Sequence, residues 1–129
     1  MHHFPIRVYY EDTDLAGIVY YANYLKFIER GRSEWLRALA IDQVALKQQG
    51  MVFVVRHVEA DYLAPAVFDD QLIVESRLCE IGSARILMAQ DVLRDGKLLF
   101  AAKVTLVCIN DAGRPMRIPH ALVAKLTQN

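Results

Sequence analysis

Apolar and polar positions change their period several times along the chain, and each change marks an element. Phe4 to Glu11 alternates and is rich in Val and Tyr, the pattern of a half-buried strand. An acidic, glycine-bearing turn, EDTDLAG, follows. From Tyr20 to Ala40 the period lengthens. Tyr24, Phe27, Ile28, Gly31, Trp35, Ala38 and Leu39 recur at helical spacing, with Lys26, Glu29, Arg30, Arg32, Ser33, Glu34 and Arg37 between them. Leu25 and Leu36 widen the apolar stripe, so this helix is expected to be wrapped on most sides. Arg30 with Glu34, and Glu29 with Arg32, stand at pairing distance along it. A short helix is predicted over Asp42–Gln49, ended by Gly50.

Strand-like runs then take over. Met51–Tyr62, Gln71–Ile81, Arg85–Leu93 and Lys97–Asn110 read as four strands, punctuated by Pro65, Gly82–Ser83, Asp95–Gly96 and Asp111–Gly113. Asp95–Gly96 is a strong hairpin signal. Pro119–Leu126 closes the chain as a helix or tail. Tight turns force antiparallel pairing. A five-stranded antiparallel sheet beside one long apolar helix is an α+β two-layer solution, with the sheet curling around the helix. No linker, repeat or low-complexity stretch interrupts the 129 residues, so a single domain over 1–129 is expected.

Charge and composition narrow the function. Lys+Arg and Asp+Glu are 15 each, so the formal net charge is +0. That argues against a nucleic-acid binder, which works by displacing counterions. The chain is 54% apolar, high for its size, with no net charge to keep copies apart. The surplus has two destinations: the core, or a surface that meets another subunit or an apolar ligand. The longest apolar run, LAGIVYYA at 15–22, is far shorter than the ~20 residues a transmembrane span needs. MHHFPIRV has no apolar secretory region. A cytoplasmic protein is therefore expected, with Cys79 and Cys108 as reduced core thiols in their apolar runs.

Candidate chemistry gathers ahead of the long helix. Glu11, Asp12 and Asp14 put three carboxylates within four positions. Gly17 permits unusual backbone geometry and the close approach of a ligand. The first N–H groups of a helix have no internal partner and carry partial positive charge. A carboxylate beside an anion-stabilising helix start is what acyl transfer needs. The same residues also serve as ordinary caps, and spacing alone favours that plainer role. Glu29 and Glu34 have basic neighbours and read as an ion-pairing face. The histidines have no metal-ligand spacing with the cysteines, and there is no G-x-S-x-G.

The residues from Arg7 to Arg37, RVYYEDTDLAGIVYYANYLKFIERGRSEWLR, resemble the signature of the hotdog-fold acyl-CoA thioesterases. They are similar to the 4-hydroxybenzoyl-CoA thioesterase group and, more specifically, to the Tol–Pal-associated YbgC-type enzymes. The likeness continues through FVVRHVEADYLAPAVFDDQL, Phe53 to Leu72, and weakens through the last three strands. Its specific part is D-T-D-x-x-G-x-V-Y. The resemblance implies a hotdog fold, a five-stranded antiparallel sheet wrapped around a long central helix. It implies a homodimer or homotetramer, since such subunits pair side by side and the pairs often pair again.

The activity implied is hydrolysis of a small to medium acyl-CoA thioester, or of an acyl carrier protein thioester. Asp14 corresponds to the family's catalytic carboxylate, acting as general base or nucleophile. A backbone N–H in the Tyr20–Tyr21 region would polarise the carbonyl. Many YbgC-type members have His where this chain has Tyr21, as the hydroxybenzoyl group does. Tyr, with an ordinary pKa near ~10, would act there as a neutral hydrogen-bonder. Gly17, Val19, Tyr20 and Tyr24 are the expected substrate contacts. Ser83 and Arg85 lie in a hairpin that often touches the nucleotide in relatives, with Arg114 and Arg117 as looser candidates. Tyr24, Phe27, Phe53 and Val55 are the candidates for setting acyl depth. No metal and no resident cofactor is implied, because coenzyme A is part of the substrate. The alternative is a hotdog module that binds acyl-CoA or acyl carrier protein without turnover; binding alone does not need Asp14.

Overall fold

The structure is a computed structural model that describes residues 1–128. Its strands are β1 (His2–Arg7), β2 (Met51–Tyr62), β3 (Gln71–Ile81), β4 (Arg85–Arg94) and β5 (Lys97–Asn110). They form one antiparallel sheet in the order β1-β3-β4-β5-β2. Its helices are α1 (Asn23–Ala38), α2 (Gln43–Gln48) and α3 (His120–Leu126). α1 lies across β1, β3 and β4. Its Phe27, Ile28, Trp35 and Leu36 are buried, as are the inward-facing Leu72, Val74, Ile86, Met88 and Val92 of the sheet. This is the α+β, hotdog arrangement that the hydrophobic pattern and the resemblance imply.

A polar network fixes the helix on the sheet. Fully buried Gln90 donates from Nε2 to the Ile28 carbonyl at 2.8 Å and to Ser76 Oγ at 2.9 Å. Its Oε1 accepts from Arg32 Nη1 at 2.8 Å. A satisfied buried network of this kind specifies one register of helix on sheet, because any slip strands several polar groups. Arg32 is therefore engaged with Gln90 and not with Glu29, which instead accepts from Ser33 Oγ at 2.8 Å. Glu34 pairs with Arg37, not Arg30. The predicted Glu29–Arg32 pair is replaced because the contact with Gln90 turns Arg32 inward.

Several boundaries differ from the expected ones. The first strand ends at Arg7, and Tyr10–Asp12 is a 3-10 turn. Asp12 Oδ2 accepts the Tyr9 N–H at 2.8 Å, which draws the chain out of the sheet. The long helix begins at Asn23, not Tyr20. Ile18 and Val19 are instead held in isolated bridges to Val67 and Thr13. The link from β2 to β3 is no tight turn: residues 63–70 carry the chain from one edge of the sheet towards the other. Cys108 is buried as expected, and burial pushes its thiol up. Cys79 is exposed, because the ladder irregularity between Leu78 and Glu80 turns it out of the core.

One strand is left uncovered. β2 forms an edge of the sheet, and all its residues from Val54 to Tyr62 are exposed. Both alternating faces of that stretch are open, and among the described residues its outer row of backbone groups has no neighbouring strand.

Candidate active site

The Asp14–Gly17 turn comes first in the chain. The Asp14 N–H donates to the Ile18 carbonyl at 2.9 Å, and the Gly17 N–H to the Asp14 carbonyl at 2.9 Å. Gly17 closes this turn at φ +82, a conformation that side chains resist. The Asp14 carboxylate is half-buried, and its Oδ1 accepts the Ala16 N–H at 3.0 Å. Among the described residues no partner is recorded for Oδ2.

The start of α1 follows. Its cap residue, Ala22, has helical backbone angles and no side-chain cap. The Tyr20 N–H donates to the Asp12 carbonyl at 2.9 Å, so it is engaged. The Tyr21 N–H has no recorded acceptor among the described residues. The expected donor region thus narrows to Tyr21, at the positive end of a 16-residue helix.

The end of β2 and the 63–70 segment supply the opposite wall. Tyr62 donates its hydroxyl to the Tyr21 carbonyl at 2.8 Å. Tyr24 stacks on Phe100 with ring centroids 4.9 Å apart, and Tyr62 meets both rings edge-on. Tyr24 is only 3% exposed and its hydroxyl accepts the Ala66 N–H at 3.3 Å. Burial pushes its phenol up, against the opposing pull of that N–H, so Tyr24 stays neutral. Arg94 holds the segment from behind, bonding Asp70 Oδ2 at 2.7 Å and the Pro65 carbonyl at 3.3 Å. Burial alone would raise the Asp70 pKa. The Val67 N–H and the Arg94 guanidinium outweigh burial and hold it below the usual carboxylate range.

Together these parts enclose a cavity of about 370 Å³. Asp14, Ile18 and Val19 line it from the turn, Tyr20, Tyr21 and Tyr24 from the helix start, and Tyr62, Ala64 and Pro65 from the far wall. A carboxylate able to take a proton or attack a carbonyl thus shares an apolar pocket with a helix start able to stabilise an oxyanion.

Of the expected site residues, Asp14, Val19, Tyr20, Tyr21 and Tyr24 are brought together here. Gly17 shapes the turn but does not line the cavity. Ser83 and Arg85 lie elsewhere in the same chain. Tyr62 is level with Phe100 and Arg85 with Val107, and those seven steps of strand span roughly 23 Å. Of the acyl-depth candidates, only Tyr24 faces the cavity; Phe27 is in the core and Val55 is exposed away from it. Tyr62, Ala64 and Pro65 went unpredicted as pocket residues. Their signal was an aromatic strand end just before a proline, which says nothing of where the following link runs.

A sheet wrapped on one helix, with a carboxylate facing that helix's start across an apolar pocket, defines a hotdog-fold acyl-transfer site. The chain belongs to the thioesterase-like superfamily, which residues 8–126 match. It is similar to the acyl-CoA thioesterase YbgC of Haemophilus influenzae, at 43% identity over 94% of this chain and 90% of that protein. It is also similar to the acyl-CoA thioester hydrolase YbgC of Escherichia coli, at 37% identity over 96% of this chain and 94% of that protein. A probable thioesterase from Bartonella henselae shares the fold at a TM-score of 0.88 and 41% identity, covering 92% of this chain and 98% of that one. Thioester hydrolysis, the reaction class the resemblance implied, is the one these relatives carry in their names.

Proposed function

We propose that this chain hydrolyses the thioester of a small to medium acyl-CoA, with Asp14 as general base or nucleophile and the Tyr21 N–H polarising the thioester carbonyl. The observation that carries the reading is the cavity in which the half-buried Asp14 carboxylate and the uncapped start of α1 meet. The acyl group would lie against Val19, Tyr24 and Tyr62, and a volume of about 370 Å³ suits a small acyl group. Attack by water or by Asp14 moves charge onto the carbonyl oxygen, where the Tyr21 N–H stabilises it. Collapse expels the coenzyme A thiolate. Where water attacks, Asp14 takes its proton and the acid is released. Where Asp14 attacks, a mixed anhydride forms and water then hydrolyses it to regenerate the carboxylate. The exposed Tyr21 ring would cover the thioester and offer its hydroxyl as a hydrogen-bonder. This route needs no metal and no resident cofactor, so coenzyme A enters as substrate only. Acyl carrier protein is a second carrier to assay, motivated by a 24%-identical Arabidopsis relative named an acyl-acyl carrier protein thioesterase.

The working unit is proposed to be at least a dimer joined through β2. The nine exposed residues of this edge strand, Val54 to Tyr62, support this, since such an edge readily adds another strand. Antiparallel pairing of two β2 edges about Val58 would bring Tyr62 opposite Val54 of the second copy. Val54 is level with Val107 and Arg85. The partner subunit's Arg85 would then stand three strands, about 14 Å, from this pocket's rim, with the partner subunit's Ser83 just beyond it in the same hairpin. There they could meet the coenzyme A phosphates, with Arg114 and Arg117 near the same end. A cytoplasmic location is part of the proposal; among the described residues no helix is long and apolar enough to cross a membrane.

The test is a panel of acyl-CoAs assayed with the parent chain and Asp14→Asn. The expected result is a loss of kcat/KM of about 10²-fold or more, the scale for removing a base or nucleophile. Retention of kcat/KM near the parent value would sink the assignment. Tight acyl-CoA binding without turnover by the parent would point instead to a binding module.

A further inference from the structure

The start of α1 has no cap of its own, yet it carries the donor on which the reaction depends. Ala22 offers no side-chain oxygen. Two side chains grip this turn instead, one from the first residue of the helix and one from β2. Asn23 Nδ2 donates to the Asp12 carbonyl at 2.9 Å, on the same oxygen that receives the Tyr20 N–H. Tyr62 reaches over from the last position of β2 and donates to the Tyr21 carbonyl at 2.8 Å.

Resting on the hydrolase reading above, we infer that Tyr62 is a positioning residue for the oxyanion donor: its hydroxyl holds the Tyr21–Ala22 peptide and so aims the Tyr21 N–H into the cavity. The carbonyl it bonds belongs to the same residue as that N–H, so the bond restrains the ψ angle of Tyr21. The neighbouring peptide is restrained too, because the Asn23 N–H donates to the Tyr20 carbonyl at 2.8 Å. That carbonyl shares its peptide unit with the Tyr21 N–H, and accepting a bond there polarises the unit and strengthens the donor. Both peptides that flank Tyr21 are thus anchored by their oxygens, while the Tyr21 hydrogen is left for a ligand.

The Tyr62 ring is itself well placed to be rigid. It packs edge-on against Phe100 at 5.0 Å, Tyr24 at 5.6 Å and Tyr21 at 6.2 Å. Phe100 is fully buried and Tyr24 nearly so, which makes their surfaces a fixed backing. Desolvation and the nearby Tyr21 phenol push the Tyr62 phenol up, so it remains a donor across the neutral range. An oxyanion donor is effective only when held in place before the charge develops. A phenol anchored on a strand end performs that service where a capping Ser or Asp is missing.

Tyr62→Phe removes the hydroxyl and keeps the ring. Steady-state kinetics with benzoyl-CoA and with acetyl- to hexanoyl-CoA would be compared for the parent, Tyr62→Phe and Asp14→Asn, with thermal midpoints for each. The expected result is a fall in kcat of about tenfold for Tyr62→Phe, with KM within about twofold. That is a fraction of the ~10²–10³ that follows outright loss of a donor. The loss should be similar across the acyl series, because the donor serves every substrate. If kcat holds within twofold while Asp14→Asn is inactive, the positioning role is wrong and the hydrolase site stands. A lower thermal midpoint with kcat and KM unchanged for the folded fraction would likewise overturn it, leaving a structural bond only. If neither variant changes kcat/KM, the site reading itself fails.

Discussion

Gly31 sits where α1 comes nearest to the sheet. A Cβ built there would lie 2.5 Å from Val74 Cγ1 and 3.5 Å from Ser76 Oγ. Two effects oppose each other in Gly31→Ala. Helix propensity gains about 1 kcal/mol, while overpacking a close contact costs about 1–3 kcal/mol. Val74 is fully buried on a central stretch of β3 and has nowhere to move. The clash should win, with a net loss of about 1 kcal/mol or more and a lower urea midpoint at unchanged m. A midpoint at or above the parent's would mean that helix and sheet can separate locally. At this scale the sequence was readable for types of residue and less so for their partners. Asp14, Gly17 and the Tyr20–Tyr21 donor region stood out because they lie close together in the sequence. Arg32 did not, because its partner, Gln90, is 58 positions away.

The link between β2 and β3 behaves as an element in its own right. It lines the cavity through Ala64 and Pro65, and receives the Val19 N–H on the Ala66 carbonyl at 2.9 Å. The Asp70–Arg94 pair holds its base. Because the folded-state pKa of Asp70 is depressed, its stabilising effect is complete above the unfolded value of about 3.9 and is lost as pH falls through the folded value. Asp70→Asn should therefore destabilise the chain by about 1–2 kcal/mol at neutral pH, on the scale of hydrogen bonds to a charged group. The gap to the parent should close as pH drops below about 4. Urea unfolding at pH 7, 5, 4 and 3 checks this; a gap that stays constant with pH would rule out the charge as its source. The helices and strands themselves were legible from period alone. Their ends were not, since Ile18 to Tyr21 are as apolar as a helix face and only the bonds to Ala66 and Asp12 pull them into another path.

For the whole molecule, the apolar surplus divides between core and edge. The core takes the α1 face and the inner side of β3, β4 and β5. Part of the remainder surfaces on β2, where Val54, Val55, Val58 and Tyr62 are 37–49% exposed, and part around the site, at Tyr10, Leu15, Tyr21, Leu63 and Phe68. Val55→Lys puts a charge on that strand, a device by which natural edges resist pairing. The parent should sediment as a dimer or larger at micromolar concentration, and Val55→Lys should shift it towards monomer with a matching loss of activity per chain. A monomeric, fully active parent would assign the surplus to the core alone.

Local order in the sequence determined what local physics controls: the periods that make each helix and strand, the hairpin at Asp95–Gly96, and the carboxylate-to-helix-start run that carries the resemblance. The tertiary structure decided everything that depends on one segment lying across another. The path of residues 63–70, the grip of Tyr62 on the Tyr21 carbonyl and the exposure of β2 are of that kind. The strand register also separates Ser83 and Arg85 from their own chain's pocket. A strand's two edges are chemically alike in sequence, so its neighbours, and with them the far wall of the site, emerge only when the sheet is assembled.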